Sequence, residues 1–151
     1  MAESRAKRMQ VVLVLAERHE QEAGRALGEY KQQLDAETEQ LKQLDDYASQ
    51  YLGLYSERKT AVKPQELIAY SGFIQRLGEA RKEQQAKLNR MQVTLEKLQL
   101  NWRQAYQKCQ SIKDLISRLG EEENQIIEKK LQKELDELTS QAYIRRSDVI
   151  Q

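Results

Sequence analysis

Ser56-Glu57-Arg58-Lys59-Thr60-Ala61-Val62-Lys63-Pro64-Gln65-Glu66 is the one stretch of this 151-residue chain that cannot belong to a single uninterrupted helix. Pro64 locks its own φ and drives Lys63 away from helical geometry, so it reads as the first residue of a new helix. Gln65 and Glu66 fill the first turn, where acidic and acceptor side chains suit the positive end of the helix dipole. Working outward, the stretch predicts one helix over about residues 4–58, a turn over about 59–63, a second helix over about 64–142 and a tail over 143–151. Together these make a single coiled-coil domain over residues 1–151.

The flanks carry heptads. Before the turn, Leu13, Glu20, Leu27, Leu34, Leu41, Ala48 and Tyr55 fall at a positions, and Met9, Ala16, Ala23, Tyr30, Glu37, Leu44 and Tyr51 at d positions. Twelve of these 14 are apolar or aromatic. After it, Leu67, Ile74, Arg81, Leu88, Leu95, Trp102, Cys109 and Ile116 alternate with Tyr70, Leu77, Gln84, Met91, Leu98, Ala105, Ile112 and Leu119. Here the count is 14 of 16. Sustained stripes of this kind specify a coiled coil, and a short connection makes its neighbours antiparallel. The expected fold is therefore all-α, a long two-helix antiparallel coiled-coil hairpin with unequal arms.

Past Leu119 the stripe slips: Ile127, Leu131, Leu135, Leu138 and Ala142 keep three-four spacing but leave the earlier frame, a stutter that locally unwinds a supercoil. The first arm spans roughly 80 Å and the second nearly 120 Å at 1.5 Å per residue. Folded back on itself, the first arm ends opposite about residue 118, which leaves a C-terminal helical overhang whose apolar stripe needs a surface to cover it.

Composition agrees and excludes. Ala, Glu, Lys, Arg and Leu make up 75 of 151 residues, the signature of long helices. Sheets require turn punctuation and β-branched runs that one Pro and six Gly do not supply. A net charge of +1 argues against nucleic acid as the main partner. Arg5, Lys7 and Arg8 followed by Val11–Ala16 imitate a signal peptide only faintly, because Glu17 and Arg18 stand where small residues belong. No run reaches the roughly 20 apolar residues of a membrane span.

Sites for chemistry are not legible. There is no GxxxxGK[ST] loop for nucleotide hydrolysis. His19 and Cys109 are solitary and lie on different arms, so no metal site is expected; His19 reads as a solvated rim residue and Cys109 as a small buried hydrophobe. Asp45–Asp46 and Glu121–Glu123 read as solvated helix faces. The expectation is no enzyme, no cofactor and no metal. Two features exceed what a coiled coil needs. Tyr47, Tyr51, Tyr55, Tyr70 and Phe73 gather near the turn, with Tyr47 and Phe73 outside the a and d sets and so partly solvent-facing, as partner anchors often are. Arg5, Lys7, Arg8, Arg145 and Arg146 gather at the opposite end, suited to an acidic lining.

Gln40-Leu41-x-x-Leu44-x-x-Tyr47-x-x-x-Tyr51 before the turn and Tyr70-x-x-Phe73-Ile74-x-x-Leu77-x-x-Ala80 after it resemble the flagellar FliJ protein family. So do Ala23-x-x-x-Leu27-Gly28-Glu29, Trp102-Arg103 and the ending Ala142-x-x-Arg145-Arg146, and the likeness covers about residues 2–146. The resemblance implies a non-enzymatic component of the flagellar type III export apparatus, cytoplasmic and peripherally attached to the membrane at the flagellar base. It implies a stalk-like protein whose terminal end enters the export ATPase ring and promotes hexamer assembly, and which also meets the cytoplasmic domain of the membrane export gate and the export chaperones. Carried onto this chain, the gate-binding patch comprises Gln40, Leu44, Tyr47, Tyr51, Phe73, Leu77 and Ala80, with Gln84 extending the face. The ring-binding end comprises Arg5, Lys7, Arg8, Ile127, Leu131, Leu135, Leu138, Arg145 and Arg146. The corresponding stalk of an injectisome and a generic coiled-coil scaffold stay open as alternatives, the latter predicting self-association through the stripe at Ile127–Leu138.

Overall fold

The computed structural model describes residues 4–58 and 63–150. Two helices account for them, α1 (Arg5–Arg58) and α2 (Pro64–Ile150). The turn expected at 59–63 lies outside the described residues except for Lys63.

Each helix begins where local chemistry dictates. Ser4 caps α1: its hydroxyl accepts from the Lys7 N–H at 3.2 Å and its carbonyl from the Arg8 N–H at 3.1 Å, satisfying donors that a helix N-terminus otherwise leaves orphaned. At the start of α2 the Lys63 carbonyl accepts from the Glu66 and Leu67 N–H groups at 3.0 and 3.1 Å. Pro64 occupies the first helical position, where its missing N–H costs nothing. The far end of α2 differs from expectation, since the helix continues past Ala142 to Ile150. After Gly120 no Gly or Pro interrupts it, and each further residue adds a hydrogen bond to an existing helix.

The described residues form two compact units, Met1–His19 with Ala105–Gln151, and Glu20–Gln104. Each is an antiparallel pairing of α1 with α2. In the first, Ala16, Cys109 and Ile112 form a buried cluster with Met9, Leu13 and Ile116 packed against it. In the second, Ala23, Ala48, Leu88 and Leu95 are buried.

The heptad frame holds in both helices. All 14 a and d residues of α1 are buried or half-buried, and in α2 only Arg81 of the 16 is exposed. Every buried hydrophobic residue belongs to those sets. No large side chain is completely sealed among the described residues, so apolar burial is confined to a thin seam, as in coiled coils generally.

Four seam positions are polar, and each has a partner across the helix pair. The Trp102 indole N–H donates to Glu20 Oε1 at 3.0 Å. Gln84 Nε2 donates to the Glu37 carbonyl at 2.9 Å and to its Oε2 at 2.6 Å, while Lys87 Nζ donates to Glu37 Oε1 at 2.8 Å. Arg81 is ion-paired with Asp45. A register slip would strip partly buried polar groups of these partners, so such layers select one alignment of the seam.

Candidate interaction surfaces

The patch carried over from the resemblance lies in the unit Glu20–Gln104. Gln40, Leu44, Tyr47 and Tyr51 follow four-three-four spacing on α1, and Phe73, Leu77, Ala80 and Gln84 repeat it on α2, so each set lines one helical stripe. Gln40 and Tyr47 are exposed, Tyr47 at 55% and Phe73 at 36% of full accessibility, whereas Leu44, Tyr51, Leu77 and Ala80 are half-buried. Tyr51 and Phe73 meet edge to face, with ring centroids 4.5 Å apart at 61°, a favoured aromatic geometry. Together with Ala69 and Tyr70 they line a groove of about 250 Å³. Polar Gln43, Asp46 and Gln50 surround Tyr47 instead. Half-buried leucines beside protruding rings form an apolar surface with a polar border, suited to docking a partner side chain rather than to bond chemistry.

Gln84 stands apart from that surface, because its carboxamide is engaged by Glu37 within the seam. Hydrogen bonds from Lys87 and then Gln84 hold the Glu37 carboxyl below its ordinary range, with partial burial pulling weakly the other way. Exposed Leu52, Leu54 and Ile68 are further apolar groups of this unit that no heptad position flags.

The second surface lies in the unit containing Ala105–Gln151. The Ala6 N–H donates to Glu123 Oε1 at 3.4 Å, so α1 begins beside Glu123. From Asn124 to Val149 every residue of α2 is exposed. Ile127, Leu131, Leu135 and Leu138 are each more than half accessible, and Tyr143, Ile144 and Val149 extend the apolar surface. Arg5, Lys7, Arg8, Arg145 and Arg146 are exposed. An uncovered apolar stripe of this length on a helix is unusual in a self-sufficient protein.

Among the described residues no three His, Cys, Asp or Glu side chains gather in metal-holding geometry, and neither helix is long and apolar enough to cross a membrane. His19 is exposed and Cys109 is buried in the seam. Helical hairpins with polar-pinned seams and exposed apolar stripes form a class of proteins that present surfaces to partners.

Within that class, the chain belongs to the flagellar FliJ protein family, whose model, described as "Flagellar FliJ protein", matches residues 5–148. It is similar to the Flagellar FliJ protein of Escherichia coli (strain K12), with 29% identity over 135 residues that cover 89% of this chain and 92% of the relative. It is also similar to the Flagellar FliJ protein of Salmonella typhi, 27% identical with the same coverage of both chains. No solved structure gives a significant match.

Proposed function

We propose that the protein is a non-enzymatic stalk of the flagellar type III export apparatus that engages the export ATPase ring through its terminal end and the membrane export gate through its aromatic patch. Membership of the FliJ family supports the flagellar setting over the injectisome alternative. The observation that carries the ring assignment is the overhang: beyond Glu123 an apolar stripe flanked by basic residues has no covering helix. A ring interior surrounds such a helix and removes its apolar surface from water. The patch supports a separate contact, because its exposed rings lie in the other unit and on different residues. Export chaperones are further partners on this reading, and the protein works at the cytoplasmic face of the membrane.

The direct test titrates the protein into the flagellar export ATPase while hexamer formation and ATP hydrolysis are followed. Stimulation saturating near one chain per ring supports the stalk. An ATPase that is active yet neither binds nor responds removes the ring assignment and favours a scaffold.

A further inference from the structure

The run Arg5–Ala16, only a faint mimic of a signal peptide, folds as the first turns of α1 and leaves large apolar side chains in water. Val11 is 63%, Val14 55% and Leu15 59% accessible. Neither the ring contact nor the gate contact proposed above uses them. They are not seam residues either, since Met9, Leu13 and Ala16 of the same turns are the ones that join the cluster with Cys109, Ile112 and Ile116.

Helix geometry sets this apolar group among cations. At about 100° per residue, Val14 and Leu15 lie within about 60° of Val11 on either side, and so do Lys7, Arg8 and Arg18. All three cations are exposed. Met9, Leu13 and Ala16 fall about 140° or more away, so α2 covers the opposite side of the helix. Glu17 lies outside the arc, and Glu22, one turn past Arg18, marks its end. The result is a face about 17 Å long, apolar in the middle and basic at both ends. Charge is segregated on the larger scale as well. Residues 5–19 and 105–119 hold seven basic side chains and two acidic ones, Glu17 and Asp114, a net +5 against +1 for the whole chain.

We infer that this face of α1 docks flat on the surface of an anionic phospholipid bilayer. Val11, Val14 and Leu15 enter the boundary between headgroups and acyl chains, while Lys7, Arg8 and Arg18 extend to the phosphates. A bilayer surface offers anionic groups and hydrocarbon at adjacent depths over a flat area, which is the pairing this convex face presents. Nucleic acid would match the cations and leave Val11 and Leu15 in water. So short a face attaches weakly and reversibly. Lys7 and Arg8 also belong to the proposed ring contact, so lipid and ring compete for the start of α1.

Vesicle flotation of the full chain tests this with no other protein present. Binding is expected to phosphatidylcholine vesicles carrying about one-third phosphatidylglycerol, little to phosphatidylcholine alone, and less as salt rises. The variants V11Q/L15Q and R8Q/R18Q are each expected to partition at least about tenfold more weakly. Circular dichroism should not change, because all four positions are exposed. L131Q/L138Q, in the overhang, is expected to float like wild type; its loss of binding would move the lipid contact to the overhang and overturn the inference. Equal binding to neutral vesicles, no binding to anionic ones, or wild-type flotation of V11Q/L15Q would overturn it too. Should V11Q/L15Q float normally yet fail to bind the ATPase, the face is a protein contact instead. A chain that stimulates the ATPase but ignores anionic vesicles removes the lipid contact and leaves the stalk reading standing; one that floats but never meets the ATPase does the reverse.

Discussion

Glu37 sits where a heptad calls for an apolar group, and its carboxylate is held by Lys87 and Gln84. Both donors favour the charged form, which lowers its pKa. The sign follows: a depressed carboxylate contributes stability above its unfolded value near about 4.3, and that contribution disappears as pH falls through the folded value. Glu37→Gln is therefore expected to lower the melting temperature at neutral pH, with the gap to wild type closing as pH drops below about 4. A gap that persists in acid shows that charge at Glu37 is not what the seam uses. Gly24 offers a second test at this scale. A Cβ there meets the Trp102 ring at 3.3 Å, whereas one at Gly28 meets nothing within 4 Å. Alanine in a helix gains about 1 kcal/mol over glycine, so Gly28→Ala is expected to stabilise by about that much, and Gly24→Ala by clearly less because the indole must shift. Thermal melts of the two variants decide it; equal gains show that Trp102 gives way freely.

At the scale of the helix, repeated spacing made the seam legible. Period-3.5 spacing reports which face of a helix is buried, and the residues it marks from Met9 to Leu119 are covered, Arg81 excepted. Spacing within one helix says nothing of what stands across from a residue, so Glu20, Glu37 and Gln84 read as breaks in the pattern until Trp102 and Lys87 appear beside them. The same limit applies to Gln84, which shares a stripe with Phe73 and Leu77 yet turns its amide into the seam. The end of α2 was hidden for another reason, since a helix with an exposed stripe carries no burial signal to mark where it stops. For the patch, Phe73→Ala combined with Leu77→Ala is expected to abolish gate binding and motility while helicity and ATPase binding persist. Phe73 is partly exposed and Leu77 half-buried in the seam, so the two changes remove about 1 kcal/mol of aromatic contact with Tyr51 and in addition roughly 2 kcal/mol or more of apolar burial, which is why circular dichroism accompanies the binding measurement. A large drop in helicity shows that these side chains hold the hairpin rather than a partner.

Across the whole molecule, the two surfaces share no residue and belong to different units, so distant changes to them should act independently. Their separability is the strongest consequence of the stalk reading. Deleting residues 127–151 removes Ile127, Leu131, Leu135, Leu138 and the Arg145–Arg146 pair, all exposed, and takes away none of the buried side chains. The truncated chain is expected to melt within a few degrees of wild type, because surface positions contribute little to stability. It should keep gate binding and lose ATPase binding and stimulation. The Phe73→Ala/Leu77→Ala variant should show the opposite pattern, and a chain with both lesions should fold but engage neither partner. Calorimetry with each purified partner measures all three cases. Retention of ATPase binding by the truncated chain places that contact on Arg5, Lys7 and Arg8 or elsewhere and removes the overhang from the ring. Loss of both partners on truncation alone shows that the surfaces are coupled, in which case the overhang acts as more than a local docking face.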